Sequence, residues 1–238
     1  MEKSPRLSND QLPKSIEVPR DKLLRGASPQ EVVGAIRAAV SPDTPTPKGV
    51  QFLLIRDEAD YMKIERRWTQ IRKSLGITSP AKIDRDASAV RFLGDVILSP
   101  DIVGYLSSSD MYDRVRGASV VLHEWWHSAR TQAEAFFPFE EGTADVFAAQ
   151  MAEKLFGVDI PKKWQPYKKL SEAINIIGKP LENPEWYLES RKQVDVKEWL
   201  RVTLSKHGFS AQTINRVLSY TGFEDLWLED VKHMVETR

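Results

Sequence analysis

Apolar residues recur along the chain first with both helical and strand periods, then with the helical period alone. The opening 27 residues are polar, carry Pro5, Pro13 and Pro19 and show no period, so a loosely ordered arm is expected. Ser28, Pro29 and Glu31 then have the order of a capping box with proline in the first turn. Val32, Val33, Ile36 and Val40 continue it as an apolar stripe. Three prolines between 41 and 48 end that helix. Residues 50–55 (VQFLLI) read as a buried strand, and 59–75 as a helix with Tyr61, Ile64, Trp68, Ile71 and Leu75 on one side. Ile83 and residues 90–98 are expected as further strands. In the second, Val90, Phe92, Val96 and Leu98 share a face opposite Arg91 and Asp95, and Gly94 marks a bulge or close approach.

Ser99, Pro100 and Asp101 start a short helical turn. Asp110 and Asp113 cap a long helix to about residue 130, with Met111, Val115, Ala118, Leu122, Trp126 and Ala129 as its stripe. After a break around 136–138, a helix is expected from 139 to about 155, ended by Gly157. Further helices are expected at 166–177, 189–206, 210–221 and 224–236, with Pro180 and Pro184 marking a loop. Strands and helices followed by helices alone make an α+β chain.

Lys+Arg and Asp+Glu both number 34 in 238 residues. Zero formal charge offers no electrostatic case for nucleic acid or an anionic membrane. The basic cluster Lys162, Lys163, Lys168 and Lys169 reads as a solvated face. The absence of cysteine excludes thiolate ligands and cysteine nucleophiles. The first residues lack the apolar stretch of a secretory signal, and no run approaches the roughly 20 residues of a membrane helix. A cytoplasmic protein is expected, with export by a signal-independent route left open.

The informative segment is HEWWH at 123–127. His123 and His127 lie one helical turn apart on one face, so both imidazoles can reach one metal ion. Glu124, about 100° round the helix, is placed to act on a water in the open position rather than to bind the ion. The chain has four histidines, and composition alone yields on the order of 0.005 such windows. Trp126 falls on the apolar stripe, whereas Trp125 is expected to be partly buried elsewhere.

A catalytic zinc site needs three protein ligands and an open position. Residue 133 is alanine, so no third histidine follows closely. A carboxylate from the next helix must serve, and FEEGTAD at 139–145 offers Glu140 and Glu141. Glu141 is favoured because Asp145 lies one turn further on its face. There Asp145 can accept the free ring N–H of a ligand histidine and fix its tautomer.

HEWWH followed by EEGTAD resembles the gluzincin group of zincin metallopeptidases, over roughly residues 90–150. The run ADVFAA at 144–149 is also similar to the corresponding helix of ImmA/IrrE-type peptidases, which cleave repressors. The resemblance implies a small mixed sheet packed on the active-site helix, with 90–98 as an edge strand lining the cleft. With the chain pattern, this gives an expected arm at 1–27, a zincin-like core at 28–160 and a helical subdomain at 161–238. The interval from His127 to Glu141 is shorter than in many gluzincins, so the choice between Glu140 and Glu141 stays open.

Zinc on His123, His127 and Glu141 with Glu124 as general base implies a metallopeptidase, read as an endopeptidase, acting on peptide or protein. Tyr167, Tyr187, Arg191 and His207 are the candidates for stabilising the transition state. His207 leads them, although Ser205-Lys206-His207-Gly208 reads better as a helix C-terminus with Gly208 just past its end, and the tyrosines read better as packing residues. The alternative is a zincin-like binding or regulatory protein with a structural metal or a blocked cleft.

Overall fold

A computed structural model describes residues 23, 26–40, 51–92, 95–128, 136–183, 185–221 and 224–238. The expectations for most of the N-terminal arm, the proline-rich loop at 41–48, Gly94, residues 129–130 and Pro184 lie outside these residues. The chain is mostly helical, with a three-stranded mixed sheet, an α+β arrangement. It forms two compact units. One runs to Val121 and takes in Leu155–Gly157, and the other comprises Leu122–Lys154 and Val158–Arg238. Among the described residues no helix is long and apolar enough to cross a membrane.

In the first unit, α1 spans Pro29–Val40. Its capping box closes as expected: Glu31 Oε2 accepts from the Ser28 N–H at 2.8 Å, and Ser28 Oγ accepts from the Glu31 N–H at 3.3 Å. The strands are β1 (Gln51–Leu54), β2 (Ala89–Phe92) and β3 (Asp95–Leu98), in the order β1-β3-β2. β1 runs parallel and β2 antiparallel to β3. Helix α2 (Glu58–Ser74) is capped by Asp57, and α3 (Pro100–Ser107) by Ser99. Tyr61 and Trp68 of α2 pack with Ile55, Ala81, Ile83 and Ile97 into one apolar cluster.

The structure differs from two of the strand expectations. Ile83 belongs to no strand. It is buried, and its N–H is taken by Glu65 Oε1 at 2.8 Å rather than by a sheet neighbour. Residues 90–98 form two antiparallel strands instead of one. Opposite residues of an antiparallel pair share a face, and Phe92 lies opposite Asp95 and Val90 opposite Ile97. Asp95 and Ile97 therefore join the face of Val90 and Phe92, while Val96 and Leu98 share the face of Arg91. β3 is the central strand, not an edge, and all four of its residues are buried. Asp95 is only 6% exposed, and the Trp68 Nε1–H donates to it at 3.2 Å, which offsets the cost of burying the carboxylate.

Helix α4 (Met111–Ser128) begins with Asp110 Oδ1 accepting from the Tyr112 and Asp113 N–H groups at 2.7 and 3.1 Å. Arg114 is buried and donates to the carbonyls of Ser108, Leu23 and Ala27.

Helix α5 is Phe137–Phe156, in the second unit as far as Lys154; that unit also holds α6 (Lys168–Leu181), α7 (Val196–Lys206), α8 (Ala211–Leu218) and α9 (Glu224–Glu236). Short 3₁₀ turns at Lys162–Trp164 and Trp186–Lys192 join them. The expected single helix over 189–206 is thus divided, with Asp195 capping a new helix. Helix α6 also runs through Pro180, which was expected in a loop, and stops one residue after it, before Glu182 at φ 54°. A proline so near the C-terminus disturbs only the final turn. Trp125 is 1% exposed, against the expected partial burial. Trp126, also buried, packs on Phe147 and Tyr187 at 5.1 and 5.4 Å between ring centroids, tying the end of α4 to α5. Trp186 stacks on Trp199, and both rings meet Phe139 near the start of α5.

Candidate metal centre

The last turns of α4 carry His123 and His127, and the first turns of α5 carry Glu140, Glu141 and Asp145. The two helices meet through these side chains. His123 Nε2 and His127 Nε2 are 3.0 Å apart, and Glu141 Oε2 is 3.2 Å from each. Three donors about 2.1 Å from a tetrahedral ion stand about 3.4 Å from one another, close to the sides of this triangle. His123, His127 and Glu141 therefore form a group close enough to hold one metal ion.

The outer nitrogens of both rings are also engaged. Asp145 Oδ1 lies 2.9 Å from His123 Nδ1, and Glu140 Oε1 lies 3.3 Å from His127 Nδ1. Ionised carboxylates only accept hydrogen bonds, so each Nδ1 carries a hydrogen, and each ring when neutral turns a lone pair inward at Nε2. Two lone pairs and a carboxylate oxygen then converge in a place where His123 and His127 are buried. Such a trio repels itself unless a cation, metal or proton, lies within it. Protonation shows the same imbalance. Burial works against a charged His123, yet the hydrogen bonds to Asp145 and Glu141 outweigh it and lift the imidazole to about 9. Burial would raise Glu141, but the two histidines hold it down to about 2.

The two acidic candidates thus occupy different places. Glu141 faces the inner nitrogens of both rings, and Glu140 faces the outer nitrogen of His127. Asp145 stands where the expected tautomer-fixing group should be and is 3% exposed. Its second oxygen, Oδ2, accepts the Tyr167 N–H at 2.8 Å. Glu124 is half-buried next to His123, and its charge contributes to raising that imidazole.

Of the downstream candidates, Tyr167 is at the cluster: its ring stacks on His123 with centroids 5.9 Å apart and planes 21° apart. Its backbone link to Asp145 spans 22 residues and carries no sequence signal beyond an aromatic residue before a helix. His207 ends α7 with Nδ1 on the Thr203 carbonyl at 2.9 Å, and no contact with the cluster accompanies this among the described residues. Gly208 follows at φ 85°, in the helix-ending role expected for it. Tyr187 is buried with its hydroxyl donating to Gln150 Oε1 at 2.5 Å, and the Arg191 guanidinium lies over the Trp126 ring at 4.8 Å.

The glycine after Glu141 explains how closely α6 approaches. A Cβ on Gly142 would stand 2.7 Å from the Leu170 carbonyl oxygen and 2.9 Å from Ile174 Cγ1. Only glycine permits this approach, and the same packing brings the start of α6, with Tyr167, onto Asp145. Compared with known proteins, the chain matches no family model, no curated protein and no solved structure.

Proposed function

We propose that the protein is a zinc-dependent peptidase of zincin type. The observation that carries this reading is the convergence of His123 Nε2, His127 Nε2 and Glu141 Oε2 within hydrogen-bond distance of one another. Two imidazoles and one carboxylate are a ligand set that suits catalytic zinc and leaves a position open. The i, i+4 histidines with an intervening Glu124 add the base that a purely structural site does not need.

When bound, zinc lowers the pKa of a water toward about 7 and polarises a carbonyl. The other steps belong to side chains of this chain. Asp145 and Glu140 hold the two imidazoles by their Nδ1 hydrogens, so that both Nε2 atoms face inward. Glu124 removes the water proton and later delivers it to the leaving amine. The stacked ring of Tyr167 covers one face of His123 and limits how far that imidazole can turn.

The test joins zinc analysis of the purified protein with cleavage profiling of a peptide library by wild type and Glu124→Gln. Zinc in both proteins with cleavage lost only in the variant supports the proposal. Zinc in both with cleavage by neither favours a regulatory protein with a structural metal, and absence of zinc affinity removes the reading altogether.

A further inference from the structure

The run from 162 to 169 contains four lysines in a chain of zero formal charge. Lys162, Lys163, Gln165, Pro166, Lys168 and Lys169 line one surface concavity of about 440 Å³. Lys169 is paired with Asp225, whereas Lys162, Lys163 and Lys168 are exposed and meet no carboxylate among the described residues. The concavity is tied to the metal centre by its own backbone. Tyr167, between Pro166 and Lys168, stacks on His123 and donates its N–H to Asp145.

We propose that this concavity receives an acidic stretch of the substrate polypeptide, one or two residues of Asp or Glu near the scissile bond. The inference rests on the peptidase reading and adds to it a substrate class. Charge complementarity selects the occupant: three uncompensated ammonium groups attract carboxylates and speed their encounter. A peptide fits better than a nucleic acid, because single-stranded binders stack bases on aromatic side chains and none lines this concavity.

The experiment uses the full-length, zinc-supplemented protein and three fluorescein-labelled decapeptides of one scaffold, bearing acidic, uncharged or basic residues. A single-stranded oligonucleotide of the same charge as the acidic peptide is the fourth probe. Anisotropy gives each Kd for wild type, K162Q/K163Q/K168Q and K162R/K163R/K168R, with melting curves to establish folding. The inference expects the acidic peptide to bind about tenfold tighter than the uncharged one, a preference that weakens with salt, disappears in the glutamine variant and survives in the arginine variant. The ratio of kcat/KM for acidic over uncharged peptide should fall in the same variant. Equal binding of the three peptides, a preference that persists in the glutamine variant, or tighter binding of the oligonucleotide overturns it. A preference in binding with none in kcat/KM also overturns it, since the acidic residues would then not lie beside the scissile bond. If no peptide is cleaved at all, the peptidase reading fails by that result, while the anisotropy series still decides whether the concavity selects acidic peptides.

Discussion

Gly142 lies so close to Leu170 that a Cβ there would stand 2.7 Å from the Leu170 carbonyl oxygen. The clash is with backbone, which cannot swing aside as a flexible side-chain tip can. Gly142→Ala should therefore destabilise the protein by about 1–3 kcal/mol despite the better helix propensity of alanine. Since α6 begins just after Tyr167, zinc affinity should weaken as well. Thermal melts and a zinc titration read both effects, and a variant as stable as wild type would contradict the packing.

Asp145 joins His123 Nδ1 to the Tyr167 N–H. Asp145→Asn keeps the size and loses the charge that orients the imidazole. Zinc affinity should fall about 10- to 100-fold with a smaller change in melting temperature. Competition with a chromophoric chelator measures this, and an affinity within twofold of wild type speaks against the role given to Asp145.

His123 sits above its ordinary value, at about 9 in the metal-free protein. A raised value means the folded state holds the proton more tightly than the unfolded chain. The stability this adds is complete below about 6.5 and is lost as pH rises through 9. A metal must displace the same proton. Apparent zinc affinity should therefore tighten by up to about tenfold per pH unit between roughly 7 and 9 and level off above. A flat affinity across this window in a chelator-competition series would disagree.

On the zinc proposal, adding zinc to the metal-free protein should raise the melting temperature, because an ion that binds only the folded state stabilises it by about 4 kcal/mol at a thousand times its Kd. Glu141→Gln removes the one anionic donor and should abolish most of the zinc-dependent rise; because the two histidines hold Glu141 low in the metal-free protein, the metal-free melting point should fall as well. Differential scanning calorimetry with and without chelator makes the comparison.

In the first unit, Asp95 accepts the Trp68 indole N–H. Asp95→Ala leaves that donor buried without its acceptor and should cost about 1–3 kcal/mol in urea unfolding. The side chains that Asp95 meets are Trp68 and Arg67, so zinc content should stay unchanged.

Local rules made much of this protein legible from its residues. The spacing of His123 and His127 follows from 3.6 residues per turn, the same geometry placed Glu141 and Asp145 on one face, and the caps at Ser28 and Asp110 follow from orphan N–H groups. These features need only neighbours within a turn or two. The strands at 89–98 were not legible in the same way, since one apolar alternation suits a single strand or a hairpin, and only pairing decides which side Asp95 takes. The division of labour between Glu140 and Glu141 likewise had no local answer: adjacent residues point about 100° apart, and the way α5 meets α4 assigned one to each nitrogen of His127. Tyr167 reached His123 because Gly142 lets α6 approach. That contact joins residues distant in sequence, so it follows from packing and from no periodicity in the chain.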